Sequence, residues 1–192
     1  MLILLLFTIT ASKAIDFENS IEVSYQIGNK DYTEFAKMGY VLGLKISQNA
    51  VIDLSFSYGR GNALGMMGQK YTSVGNILYT DGFNKYWYQW SVCEAMIGYK
   101  YYFNNKDISP FLSIDFGLDF GSYVDNNNNI DGYTSDDYIG LRFKLKDDNA
   151  FYVQAGVSRK PYMVEYYYSH DKSKEFEQYR CTMLALKVGF TF

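Results

Sequence analysis

Proline is almost missing from this chain, with two residues in 192. Proline cannot donate to a strand ladder, so its scarcity leaves long uninterrupted strands open. Beyond residue 14 no apolar stretch approaches the 18 residues a spanning helix needs, and a helical membrane protein is excluded. A membrane protein built of strands is not excluded, because its apolar residues alternate with polar ones. The net charge is only −3, with no basic patch, and nucleic acid is not expected as a partner. Histidine occurs once, as His170, leaving little material for a catalytic set. Cysteine occurs twice, and neither follows the first apolar run, so a lipid anchor at a cleavage site there is excluded.

That run, "MLILLLFTITASKA", is too short to span a bilayer, and small residues follow it at Ser12 and Ala14. It reads as a signal peptide over 1–14, cleaved before Ile15, with one domain over 15–192 and export through the inner membrane.

What the chain has in abundance is aromatic side chains, 19% of its residues, with 20 Tyr and 14 Phe. They sit in segments of strict alternation, which predicts strands. In "SIEVSYQIG" the apolar face is Ile21, Val23, Tyr25 and Ile27; in "MGYVLGLKIS" it is Met38, Tyr40, Leu42, Leu44 and Ile46. Six further segments repeat the pattern, in "IDLSFSYG", "AMIGYKYYF", "FLSIDFGLDFGS", "YIGLRFKLK", "AFYVQAGVSR" and the closing stretch through "LALKVGFTF". Connections are short near 49, 105 and 148 and long near 72, 129 and 169, with loops expected over 60–85, 124–136 and 160–178. An even number of strands with tight turns at one end and longer loops at the other predicts an all-β, closed, eight-stranded antiparallel transmembrane barrel, an up-and-down meander.

Alternation alone leaves open which face is inside, since a soluble barrel also alternates. Three features place the polar face inward. Ten glycines fall on it: Gly28, Gly39, Gly43, Gly59, Gly98, Gly117, Gly121, Gly140, Gly156 and Gly189. Inside a narrow barrel, small residues make room for large neighbours. The same face carries Glu22, Asp53, Glu94, Asp115 and Asp119 with Lys45, Lys100, Arg142, Lys144 and Lys187, a balanced set that can pair once enclosed. Tyr and Phe gather at strand ends on the apolar face, as at Tyr99, Tyr101 and Phe103, where a membrane boundary would hold them.

The ending "VGFTF" resembles the assembly signal of bacterial outer-membrane barrels, with Phe190 and Phe192 matching its aromatic-x-aromatic form. By pattern and ending the chain resembles the OmpA-transmembrane, OmpX and Opa-like eight-stranded barrels. That resemblance implies residence in the cell outer membrane, contact with outer-membrane lipid, and recognition of Phe190 and Phe192 by the barrel-insertion machinery.

For function the expectation is a structural or surface-interaction barrel with a side-chain-filled lumen, whose loops bind a surface protein or host ligand. The alternative is a small pore or a conduit for apolar solutes. A lipid-modifying enzyme comes third, since Ser169 and Asp171 flank His170 in a pattern that is no ready triad. No catalytic residue, cofactor or metal is expected. "NNNIDG", Asn127 to Gly132, resembles half of a calcium loop but has Tyr138 where a glutamate is required. Cys93 is expected to face out and Cys181 in, too far apart to bond.

Overall fold

A computed structural model describes residues 16–28, 34–67, 84–123, 129–146, 149–167 and 174–192. Ser12, Ala14, Asn127 and His170 lie outside them, as does the rest of the segment read as a signal peptide.

The described residues form eight strands: β1 (Asp16–Gly28), β2 (Glu34–Ser47), β3 (Ala50–Met67), β4 (Asn84–Tyr102), β5 (Ile108–Tyr123), β6 (Asn129–Lys144), β7 (Ala150–Tyr167) and β8 (Lys174–Thr191). Each pairs antiparallel with the next, and β1 pairs with β8 to close the barrel. Closure continues just past β8, where the Phe192 N–H donates to the Asn19 carbonyl at 2.9 Å.

The register shows the barrel's shear. Glu18 pairs with Gly43, Gly43 with Asp53, Asp53 with Gly98, Gly98 with Asp115, and Asp115 with Asp136. From there the path runs to Ser158, Met183 and Gly28, returning to β1 ten residues beyond its start. A stagger of ten over eight strands, at ordinary rise and spacing, tilts the strands by about 40°.

One end holds the tight connections. At the first, the Asn49 N–H donates to Ser47 Oγ at 3.2 Å, and the register shifts between Lys45 and Ser47. At the second, Asn104 Oδ1 accepts from the Lys106 N–H at 3.1 Å, a side-chain-closed turn of the kind Asn favours. At the other end the hairpins run on. β2 leaves β3 at Asn62 and β5 leaves β4 at Trp90, while the β3–β4 ladder continues to Met67 and Asn84. The β6–β7 ladder stops at Arg159 and the β1–β8 ladder at Met183, yet β7 and β8 pair on to Tyr167 and Lys174. A tilted strand spans the hydrocarbon core in roughly 9–11 residues. Strands of 18 and 19 residues therefore overrun it.

The three expected loops are shorter than the sequence reading had them. Residues 60–67, 84–85, 129–136, 160–167 and 174–178 are strand. Their composition resembles that of loops, but they extend the ladders. Pro161 fits because it lies past the end of the β6–β7 ladder, where its missing N–H costs no strand bond on that side.

The burial pattern is inverted relative to a soluble protein. Ile21, Tyr40, Phe56, Ile97, Phe116, Ile139 and Leu184 are exposed on the outside, whereas Lys37, Asp53, Glu94, Lys100, Asp119, Asp136 and Lys187 are buried inside. A continuous apolar belt of this kind has to be covered, and a closed ladder leaves no backbone group unsatisfied against lipid. The enclosed glycines answer to ring packing. Trp90 pairs directly with Gly61, Phe111 with Gly140, Tyr138 with Gly156 and Tyr152 with Gly189. A Cβ at Gly189 would come within 2.2 Å of the Tyr152 ring.

Candidate functional site

The lumen is where the charged side chains converge, and they stack in three storeys.

Nearest the tight turns, Val51 and the rings of Tyr102, Phe111 and Tyr152 form a buried apolar cluster. Tyr102 and Phe111 have ring centroids 5.2 Å apart, and Phe111 meets Tyr152 edge-on at 6.0 Å. Cations lie against these rings: Lys100 Nζ is 5.0 Å from the Tyr152 centroid, and the Arg142 guanidinium is 5.0 Å from that of Tyr102. Their counter-charges are Asp53, 3.1 Å from Lys100, and Glu18, 3.6 Å from Arg142.

In the middle storey Lys187 pairs with Glu22 at 3.2 Å and with Asp115 at 3.7 Å, and sits 4.3 Å from the Tyr138 ring centroid. The Tyr152 hydroxyl donates to Glu22 and ties this storey to the one below.

Toward the long hairpins lies the densest group. Lys37 donates to Glu94 at 2.5 Å and to Asp136 at 2.9 Å. Lys160 donates to Glu94 and stands 3.8 Å from Asp119. Ser57 donates to Glu94 at 2.9 Å, Ser158 to Asp136 at 2.6 Å and Tyr138 to Asp136 at 3.2 Å. Phe35 stacks on Trp90 at 6.3 Å beside this cluster, with Lys160 5.0 Å from the Phe35 ring centroid. Buried charges need both partners and hydrogen bonds, and here each carboxylate answers to a named cation.

Of the ten charged residues expected in the lumen, eight lie in these storeys: Glu22, Asp53, Glu94, Lys100, Asp115, Asp119, Arg142 and Lys187. Lys45 and Lys144 do not. Lys45 reaches Asp16 at 2.9 Å, half-exposed at the rim, and Lys144 turns to the Asn105 carbonyl at 3.2 Å in a turn. Both lie within two residues of a strand end, where the wall no longer encloses a long side chain. Four members of the network escaped the sequence reading: Glu18, Lys37, Asp136 and Lys160. Each falls just outside the alternating segments as drawn, and extending the same inward phase past them would have found all four.

Among the described side chains lie two small cavities, each of about 10 Å³, space for roughly one water. Among the described residues, Ser24 Oγ beside the first has no partner, nor do Asp53 Oδ1 and Gln154 Nε2 beside the second. These are polar, water-sized sites, too small for a solute path.

On the outside, Cys93 is exposed while Cys181 is buried in the lumen, and no disulfide joins them. Ile130, Asp131 and Gly132, from the half calcium loop, pair with Gly121, Phe120 and Asp119 as strand. Phe190 and Phe192 face outward and stack at 6.4 Å.

No family model matches the chain, and no curated protein matches it by sequence. By structure it is similar to Neisserial surface protein A, with a TM-score of 0.53 at 8% identity over 94% of this chain and 100% of that one. It also aligns with the N-terminal barrel of Pseudomonas aeruginosa OprF, at a TM-score of 0.42 and 15% identity, over 93% of this chain and 100% of that one. A major outer membrane protein of Thermus thermophilus aligns at 0.42 and 12% identity, over 92% of this chain and 100% of that one. The chain has the fold of the small outer-membrane β-barrels, a closed eight-stranded antiparallel meander.

Proposed function

We propose that this protein is a sealed barrel of the cell outer membrane that presents its protruding hairpins at the surface, a structural or surface-interaction protein rather than a diffusion pore. One observation carries the reading: Lys37 on β2 meets Asp136 on β6 across the barrel at 2.9 Å. Side chains that touch across the lumen leave no continuous path for a solute. The overrunning β3–β4 and β7–β8 hairpins supply the surface available to a protein or host ligand, and their flanks, unpaired among the described residues, are of the kind that accepts a partner strand. Phe190 and Phe192, outward on the closing strand, serve the insertion machinery.

Planar-bilayer recording of the purified, heat-modifiable barrel tests this. The expected trace is closed, and steady large conductance overturns the sealed-lumen reading in favour of the pore.

A further inference from the structure

The lipid-facing wall is not uniform. On the outer face of β4 three small residues follow one another, Ser91, Cys93 and Ala95, where neighbouring strands carry rings. Across the ladders, Cys93 lies between Tyr58 and Phe120, and Ala95 between Phe56 and Leu118. Below them Ile97 closes the row, 61% exposed. The result is an open trough of about 730 Å³ with Met38, Phe56, Tyr58 and Phe120 along its sides and Cys93 and Ala95 in its floor.

The trough has a polar mouth. Arg60 stands directly opposite Ser91 at its upper end. The Arg60 Nε–H donates to the Tyr58 hydroxyl at 3.2 Å, and that hydroxyl donates to Ser91 Oγ at 3.2 Å. Among the described residues this engages one guanidinium nitrogen and leaves both terminal nitrogens with their donors. Among the described residues no carboxylate pairs with Arg60. Glu34, on the neighbouring strand, lies beside Tyr25 instead. An outward arginine on the opposite part of the wall differs: Arg159 is held by Asp137 at 2.5 Å. Arg60 is also the first polar residue after the outward row Ile52, Leu54, Phe56, Tyr58, which puts it at the boundary of the leaflet on the long-hairpin side.

An apolar trough ending in a guanidinium that no described carboxylate pairs, beside a hydroxyl pair, is complementary to one chemistry. We propose that it seats a phosphorylated glycolipid of the outer leaflet, one acyl chain lying over Ala95 and Cys93 and a phosphate on Arg60. Guanidinium suits this task because its planar donor fork matches phosphate oxygens. The proposal rests on the membrane reading above, since only a barrel standing in that leaflet meets such a lipid.

The test is native mass spectrometry of the folded barrel released from neutral dodecylmaltoside micelles, titrated with diphosphoryl lipid A. Heat-modifiable mobility is checked first, and its loss would sink the membrane reading rather than this one. With the barrel folded, one lipid A is expected per chain. Arg60→Gln should raise the half-saturating concentration at least tenfold, and Ala95→Leu, which fills the trough from the lipid side without touching the lumen, should abolish retention. Arg180→Gln, an exposed cation on β8, should change nothing. The proposal is overturned by no retained lipid, by equal retention of dephosphorylated lipid A or of phosphatidylglycerol, or by indifference to both Arg60→Gln and Ala95→Leu.

Discussion

Lys37 Nζ lies 2.9 Å from Asp136 Oδ2, and the two residues belong to strands on opposite sides of an eight-stranded wall. A lysine side chain reaches that far only in a narrow barrel, and it is kept there by the second carboxylate it meets, Glu94 at 2.5 Å. Lys160 approaches Glu94 from β7, so two ammonium groups share one glutamate whose side chain is buried from bulk solvent.

Glu94 is therefore the residue whose loss should cost most. Removing one partner of a buried pair leaves an uncompensated charge, at about 3–5 kcal/mol. Glu94→Ala should lower the barrel's unfolding free energy by that order in micelles, read by urea titration. The apolar pair Lys160→Met with Glu94→Met should lose less than Glu94→Ala alone, since it leaves no ammonium at the lost carboxylate except Lys37, which keeps Asp136 at 2.9 Å. A cost below about 1 kcal/mol for Glu94→Ala would show that the cluster is not held as described.

Gly189 offers a test of packing rather than charge. Its absent Cβ leaves the place where the Tyr152 ring lies, and that ring's hydroxyl donates to Glu22. Gly189→Val should therefore displace Tyr152 and cost at least the roughly 1–3 kcal/mol of an overpacked core. Tyr152→Ala in the same chain should recover part of the loss, a non-additivity that a double-mutant cycle measures.

The exposed pair on the outer wall should behave in the opposite way. Arg159 and Asp137 are 48% and 42% exposed at their side chains. Asp137→Asn should cost no more than about 1 kcal/mol, and less again in 1 M salt, where the screening length falls to about 3 Å. The cost of Glu94→Ala should barely change with salt. Equal salt sensitivity at the two sites would mean that water and ions enter the lumen.

Much of this arrangement was legible in the chain. Alternation set the strands, and the ten glycines on the polar face pointed to a crowded interior, which the Phe111–Gly140 and Tyr152–Gly189 pairs explain. What escaped was the reach of the strands. Lys160 stands beside Pro161, and Asp136 follows "DGYTS", compositions that read as loop. They are strand because a hairpin can outrun its neighbours, a tertiary fact that local pattern does not carry. Lys45 and Lys144 show the converse: correct phase, but too near a rim to be enclosed. The trough on β4 needed the register, since only pairing reveals that small residues there lie between rings.

Phe192 tests the proposed role of the outward aromatics in assembly. Its backbone pairs with Asn19, while its side chain is 51% exposed. Phe192→Ala keeps the backbone pairing and removes only the ring. Insertion in cells should fall severalfold, read as the ratio of heat-modifiable to unfolded protein in the membrane fraction. The unfolding free energy of the refolded barrel should shift by less than about 1 kcal/mol, as for other exposed positions. A large stability loss would make Phe192 a packing residue instead.

The seal itself should be redundant. Three storeys lie in series, and current through a tube is limited by its tightest section. Lys37→Ala with Asp136→Ala removes the contact that crosses the upper storey, yet Lys187 with Glu22 and Asp115 still fills the middle. Below that, Tyr102, Phe111 and Tyr152 remain packed, with Lys100 and Arg142 against their rings. The double variant removes one charge of each sign, so the net lumen charge is unchanged and the lower storeys have no electrostatic reason to rearrange. It should stay as closed as the parent in planar bilayers, even where its unfolding free energy has dropped. Steady conductance in that variant alone would mean that the upper cluster is the whole seal, and that the aromatic storey beneath it passes ions.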